Sequence, residues 1–274
     1  MDNQWKYKKK EKNSIDNLFG DLKDYFDSIL KLVNKPEDYV AYLDKVTEEE
    51  SFANLSNSIA TKIVKSQARD NSRTWRQAAT KSGRGREIYK ALLEDLEGTR
   101  FDDLIAETAN QIRTLPMDIA DRIVKRIGEL AVKGMRSADI AEEIRKAVPG
   151  YTKASSMRLA RTQVAKTLAS ITEIRSRSIN IPAYVWHTVG GPRVRDSHRW
   201  MNNVICLWNQ PPSPEAINHQ TNKGYYHPGG IYNCRCYAEP LLSLEQVSWP
   251  HKVCYNGRIT MMSEGRFKKI IYKS

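Results

Sequence analysis

The spacing of apolar residues changes at Pro182, and this change constrains the fold more than any other feature. Before it, apolar residues recur every three or four positions, as from Ile15 to Val33, which is typical of amphipathic helices. After it, Tyr184 to Val189 is rich in β-branched and aromatic residues and leads into the turn-forming Gly190 to Pro192. The chain is therefore predicted to be α+β, with a mainly α-helical N-terminal part and a small, loop-rich, β-containing C-terminal domain.

The N-terminal pattern predicts short helices joined by short loops, as in a helical bundle. The helical runs are Tyr39 to Val46, Phe52 to Ala68, Ile88 to Leu96, Leu104 to Leu115, Ile119 to Val132, Ile140 to Val148, and a long helix from Thr152 to near Pro182. Pro149 and Gly150 are expected to end the helix before them. The basic stretch from Arg69 to Arg86 is interpreted as a loop or linker because it ends in Ser-Gly-Arg-Gly.

Four further strands are predicted towards the C-terminus. Lys252 to Tyr255 and Arg258 to Met262 flank Asn256-Gly257, a strong signal for a β-hairpin. A strand is also expected within Cys234 to Leu242, and another from Phe267 to Tyr272. The segment from Pro211 to Pro214 is expected to be an irregular loop.

The chain is strongly basic, which favours acidic partners. Its 274 residues carry 44 Lys and Arg against 32 Asp and Glu, a net charge of +12. Residues 151–200 hold nine of these basic residues and two acidic ones, a local excess of seven. The weak candidates for nucleic-acid contact are Arg158, Arg161, Lys166, Arg175, Arg177, Arg193 and Arg195. The alternative is that they form a solvated surface, and no base-reading motif is present.

No apolar run is long enough to predict a membrane span. The basic segment from Lys6 to Lys12 is followed by charged residues instead of an apolar segment. We therefore expect a cytosolic N-terminus and no signal peptide. Four cysteines in the last quarter of the chain predict reduced thiols or a metal site instead of a disulfide scaffold.

Cysteine and histidine are concentrated after residue 180, and neither occurs before it. Six of them lie within 39 residues, namely His198, Cys206, His219, His227, Cys234 and Cys236. Thiolate and imidazole are the ligands that Zn²⁺ prefers, and the two thiols of Cys234-Arg235-Cys236 would share one face of a strand. The predicted ligands are His198, His227, Cys234 and Cys236. The alternative is that the cysteines are small buried residues and the histidines are structural.

The remaining cysteine and histidines, Cys254, His187 and His251, are interpreted as structural residues.

The number of protein ligands would decide the role of the zinc ion. Four protein ligands would make it structural, whereas three ligands and a water would leave it open for catalysis. The chain lacks H-E-x-x-H, G-x-S-x-G, a phosphate loop and G-x-G-x-x-G, so no enzyme class is indicated.

The order of motifs between residues 150 and 242 resembles the phage Mu protein F-like head morphogenesis domain. The matching residues are Arg161-Thr162-Gln163, Ala165, Trp186-His187-Thr188, the segment Arg193 to His198, His227-Pro228, Cys234-Arg235-Cys236 and Pro240. Relatives can carry cysteines where Arg195 and His198 stand, which supports His198 as a ligand and marks Arg195 as a departure. The segment between His227-Pro228 and Cys234 is longer here than in relatives.

The resemblance implies a non-enzymatic minor head protein of a tailed bacteriophage or prophage. Such a protein is attached to the portal inside the head and assists head assembly, DNA packaging or delivery. Residues 1–150 would then dock on the portal, and residues 151–274 would form the Mu F-like domain. The expected partners are the portal, packaged double-stranded DNA and a scaffold or major capsid protein, with no membrane.

The resemblance also implies a location in the virion, inside the capsid at the portal vertex, and in the host cytoplasm during assembly. Two alternatives stay open. One is a metal-dependent nuclease with His198 or His219 as its base. The other is a general DNA-binding protein.

Overall fold

The computed structural model describes residues 20–29, 31, 36–94, 101–133 and 135–272. The basic segment from Lys6 to Lys12, and both ends of the helix predicted from Ile15 to Val33, lie outside these residues. In the part that is described, no helix is both long enough and apolar enough to cross a membrane.

Helices make up most of the chain. They are α1 (20–29), α2 (Pro36–Val46), α3 (Glu50–Lys81), α4 (Gly85–Glu94), α5 (Asp102–Arg113), α6 (Leu115–Val132), α7 (Ser137–Ser178), α8 (Asp196–Met201), α9 (Pro214–Ile217) and α10 (Glu264–Ile271). The strands are β1 (Ala183–His187), β2 (Val204–Leu207), β3 (Tyr237–Pro240), β4 (His251–Tyr255) and β5 (Arg258–Met262). A 3₁₀ turn covers Leu244–Gln246.

The five strands form one mixed sheet in the order β3-β1-β2-β4-β5. The pairing of β2 with β4 is parallel, and the other pairings are antiparallel. Asn256 and Gly257 both have positive φ, as the tight turn between β4 and β5 requires. The predicted α+β class, the first strand and the hairpin are therefore confirmed.

The chain forms two compact units, each built from separate segments. The sheet unit comprises the described residues of 67–101 and 165–272, and the helical unit comprises those of 20–66 and 102–164. Both long helices, α3 and α7, contribute residues to both units. The units thus differ from a simple division at residue 150.

The helical unit has a core of its own. Leu22, Phe26 and Phe52 are fully buried, and the rings of Phe26 and Phe52 lie 6.0 Å apart in an edge-to-face arrangement. Ile112 and Ile119 extend this core into α5 and α6. These positions follow the apolar spacing that predicted the helices.

The sheet unit buries both faces of the sheet, because side chains alternate along each strand. One face carries Tyr184, Trp186 and Cys206. The other carries Val185 and Ile205, together with partners from β4 and α10. The first face holds the candidate site.

Two predicted breaks are helical in the structure. The stretch from Arg69 to Arg86 continues α3 as far as Lys81, because Trp75, Ala78 and Ala79 lie one turn apart and are buried. Pro149 lies inside α7. It removes one backbone hydrogen bond, and buried Val148 and Ala160 on either side keep the helix continuous.

The strand predicted from Phe267 to Tyr272 was wrong, because this segment belongs to α10. The side chain of Ser263 accepts a hydrogen bond from the backbone N–H of Arg266 and caps the helix. Fully buried Phe267 is followed by Ile270 and Ile271 at helical spacing, and all three pack in one apolar cluster. The strand expected within Cys234 to Leu242 is limited to β3.

Candidate metal centre

Strand pairing brings together two segments that are distant in sequence. His187 at the end of β1 pairs with Tyr237 at the start of β3. The chain that leaves β1 therefore passes close to the chain that enters β3. The first carries His198 on α8, and the second carries Cys234 and Cys236.

His198, Cys234 and Cys236 form a compact buried cluster. Their ligand atoms all lie within 4.8 Å of one another. Nδ1 of His198 is 3.4 Å from Sγ of Cys236 and 3.5 Å from Sγ of Cys234. Zinc bonds of about 2.3 Å to sulfur and about 2.0 Å to nitrogen would place tetrahedral ligands about 3.5 Å apart. The three residues could therefore hold a zinc ion.

A buried network fixes the other side of the His198 ring. The hydroxyl of Tyr226 donates to Oε2 of Glu215 at 2.6 Å, and it lies 3.0 Å from Nε2 of His198. Because that hydroxyl proton is directed to Glu215, the hydroxyl oxygen is placed to accept a hydrogen bond from Nε2–H. Donation from Nε2 would leave the lone pair of Nδ1 free for a metal ion between it and the two thiols.

The network resembles the carboxylate-backed histidines of zinc sites. Glu215 is 1% exposed, and Ser197 donates a second hydrogen bond to it at 3.2 Å. Burial opposes ionisation of Glu215, but the hydrogen bonds from Tyr226 and Ser197 outweigh burial and lower its pKa. Burial and the neighbouring Glu215 raise the pKa of Tyr226.

The two thiols share one proton unequally. The hydrogen bond from Cys236 and the nearby His198 lower the pKa of Cys234 to about 4. The same pairing and burial raise the pKa of Cys236. The lowered pKa of Cys234 favours its thiolate, which is the form that ligates zinc.

His227, the fourth predicted ligand, lies outside this cluster. Its Nδ1 is 3.0 Å from the hydroxyl of Tyr184, and its ring packs edge-on against Trp208. Burial lowers its pKa. The turn that follows is held against α7, because a Cβ on Gly229 would lie only 2.9 Å from the carbonyl oxygen of Ala165. The turn therefore does not bring His227 over the cysteines.

The other cysteines and histidines are also apart from the cluster. Cys206 on β2 and Cys254 on β4 are buried neighbours, and burial raises the pKa of Cys206. His219 is exposed. His187 pairs with Glu239 at 2.7 Å, and Nε2 of His251 lies 2.9 Å from the carbonyl oxygen of Asn203.

A pocket of about 120 Å³ lies over the cluster. His198, Cys234 and Cys236 line it, together with Arg193, Arg195 and Arg235. A metal ion on the three ligands would therefore have a fourth coordination position facing this pocket.

The predicted nucleic-acid residues differ in accessibility. Arg161 and Arg193 are exposed, whereas Lys166 and Arg195 are half-buried. Arg158 pairs with Asp118, and Arg177 pairs with Glu173 at 2.8 Å.

Arg175 requires a correction. It is 3% exposed, and its guanidinium donates to Asn71 at 2.5 Å, to Ser72 at 2.9 Å and to the carbonyl of Ala68. Because these acceptors surround it inside the sheet unit, Arg175 is a structural residue there and is not available to DNA.

Glu215 and Tyr226 were missed by the sequence prediction. Glu215 lies in an apolar, proline-rich segment and Tyr226 precedes His227, but neither belongs to a metal-binding motif. The only signal in the sequence was a lone acidic residue after Pro214, in a segment interpreted as an irregular loop.

Comparison with known proteins bears on the whole of this site. Residues 121–239 match the model of the family described as phage Mu protein F like protein. The predicted resemblance to this family is confirmed for this part of the chain. The match contains His198, His227, Cys234 and Cys236, and therefore the phage Mu F-like region includes the candidate metal centre.

One similar protein comes from Haemophilus influenzae and is described as an uncharacterized protein. It is 28% identical over 143 residues, which are 52% of this chain and 30% of the relative. The match thus spans less than a third of the relative's length. No solved structure is significantly similar to the chain.

Proposed function

We propose that this protein is a minor head protein of a tailed bacteriophage or prophage. It binds the portal on the inside of the head and assists assembly, DNA packaging or delivery. The observation that carries the proposal is the match of residues 121–239 to the phage Mu F-like family. The excess of basic residues supports a place beside packaged DNA.

In this proposal, His198, Cys234 and Cys236 hold a zinc ion with a structural role. The ion would join α8 to the segment that enters β3 and would neutralise two buried thiolates. The carboxylate network behind His198 supports this role, because it fixes the ring with its free nitrogen towards the thiols.

The nuclease alternative needs a general base beside the fourth coordination position. Glu215 is bound on the opposite side of the His198 ring, and His219 does not line the pocket. No Asp or Glu is among the described residues that line it. The geometry therefore favours a structural ion over a catalytic one.

Capture on purified portal rings tests the proposal. The portal of the phage or prophage that encodes the protein would be immobilised, and the full chain applied over a series of salt concentrations. We expect capture that persists at salt concentrations that abolish binding to duplex DNA. The double variant R161Q/R193Q should weaken DNA binding and leave portal capture unchanged. Binding to DNA alone, with a steep salt dependence, would favour a general DNA-binding protein.

A further inference from the structure

Three arginines surround the pocket over the cysteine and histidine cluster. Arg193, Arg195 and Arg235 all line it, and none of its nine described lining residues is acidic. Neither Arg193 nor Arg235 has a carboxylate within ion-pair distance in the described part of the chain. The positive charge at this pocket is therefore not balanced locally.

The charge is positive with or without a metal ion. Without metal, the two thiols can carry at most two negative charges, so the three guanidinium groups leave the pocket with a net positive charge of at least about +1. With zinc, two thiolates cancel the ion and three positive charges remain. In both states the pocket attracts an anion.

One of the arginines is held in position. The guanidinium of Arg195 lies 4.7 Å from the ring centroid of Tyr232 and donates to the carbonyl oxygen of the same residue at 2.8 Å. Its other N–H groups stay available, because a guanidinium has five donors. A positioned arginine loses little conformational freedom when it binds an oxyanion.

The size of the pocket suits a small anion. A volume of about 120 Å³ corresponds to about four water molecules. This volume admits one phosphate group. Three arginine side chains also offer more donors than the two oxygens of a carboxylate can accept, whereas a phosphate presents up to four oxygens.

We propose that this pocket is a phosphate-binding site, in which Arg193, Arg195 and Arg235 hold the anion. The phosphate is either free or part of a nucleic acid. The site does not depend on the proposed role in the phage head, and its test is separate from portal capture.

Calorimetric titration of the full chain with inorganic phosphate tests the site, at fixed ionic strength and with measured zinc content. Each of Arg193→Gln and Arg235→Gln should weaken binding by about tenfold, the loss expected for one charge-assisted hydrogen bond. Arg258→Gln is the matched control, because Arg258 is an exposed arginine on β5 outside the pocket. Equal affinity in all three variants, or no phosphate binding by the unmodified chain, would overturn the proposal.

Two further titrations identify the source of the phosphate. A short DNA strand with a 5′-phosphate is compared with the same strand without it. Dependence on the terminal phosphate supports a strand end as ligand, and equal, arginine-dependent binding of both strands supports a backbone phosphate. Acetate that binds as tightly as phosphate would refute a phosphate site and indicate a carboxylate ligand.

Discussion

Replacing Tyr226 with phenylalanine should weaken zinc binding, whereas the same change at Tyr184 should not. Each tyrosine hydroxyl lies 3.0 Å from a histidine ring nitrogen, Tyr226 beside His198 and Tyr184 beside His227. The two substitutions remove the same chemical group at the same distance. They differ in which histidine loses its partner, and Tyr226→Phe also removes the hydrogen bond to Glu215.

The expected loss follows from the network around His198. Groups that orient a metal-bound histidine typically contribute about 10- to 100-fold to metal affinity, or about 1.4 to 2.7 kcal/mol. Glu215 Oε1 is already 3.7 Å from Nε2 of His198. A small movement would let this carboxylate accept the Nε2 proton directly. A loss near tenfold is therefore expected if Glu215 relaxes, and a loss near 100-fold if packing holds it.

Competition with a chromophoric chelator measures the affinity of each zinc-loaded variant. Thermal unfolding provides the control for general stability, because each hydrogen bond that is lost is worth about 1 kcal/mol. Tyr226→Phe loses two such bonds, to Glu215 and His198, and Tyr184→Phe loses the one to His227. Equal losses in the two variants would mean that the tyrosines act only through general stability. A loss confined to Tyr184→Phe would show that His227 is the ligand, and the geometric reasoning would be refuted.

Three other predictions concern the sheet unit. Arg175→Met should lower the free energy of unfolding by about 2–4 kcal/mol, because it leaves buried acceptors without their charged donor. Arg177→Met should lower it by at most about 1 kcal/mol, because Arg177 is half-exposed. Denaturant titration of both variants measures the difference. The folded-state pKa of His227 is lowered by burial, so its contribution to stability is present above its ordinary pKa and is lost as the pH falls below about 6.5. Unfolding curves between about pH 7 and about pH 5 should therefore fall less steeply for His227→Gln than for the unmodified chain. Gly257→Ala should destabilise the protein by about 1–2 kcal/mol, because Gly257 has φ of +73°, which alanine adopts only with strain. An added Cβ would meet no atom within 4 Å, so the loss would come from the backbone alone. A rise in melting temperature would contradict this explanation.

Local signals in the sequence were sufficient for the elements that depend on near neighbours. Asn256-Gly257 identified the hairpin because few residue pairs adopt two successive positive φ angles. The change in apolar spacing after Pro182 identified β1. By contrast, β2 was missed, since the short apolar run from Val204 to Leu207 is buried on both faces and shows no alternation.

Elements that depend on distant contacts were not predicted. The Ser-Gly-Arg-Gly end of the basic stretch from Arg69 to Arg86 suggested a loop, but buried Trp75 keeps the stretch helical in the sheet unit. Arg175 had the same appearance as its basic neighbours in the sequence. Its contacts with Ala68, Asn71 and Ser72, each more than 100 positions away, distinguish it as a buried residue.

The candidate metal ligands illustrate the same limit. Cys234 and Cys236 were paired by their spacing alone, which holds in any extended segment. The choice between His198 and His227 depends on the path of the chain between them. That path is set by the turn at Gly229 against α7 and by the network of Glu215 and Tyr226, and neither has a local signature.

The register of the sheet determines whether this centre can exist. β3 is an edge strand that pairs with β1 through four residue pairs. Cys236 lies directly before Tyr237, which pairs with His187. A slip of one residue would turn the side chains that lead into β3 to the opposite face, away from His198. A zinc ion on His198, Cys234 and Cys236 would favour the observed register, because this register places both thiols beside Nδ1. It would thus fix a short edge strand that its own pairing specifies weakly, as the proposed structural role of zinc requires.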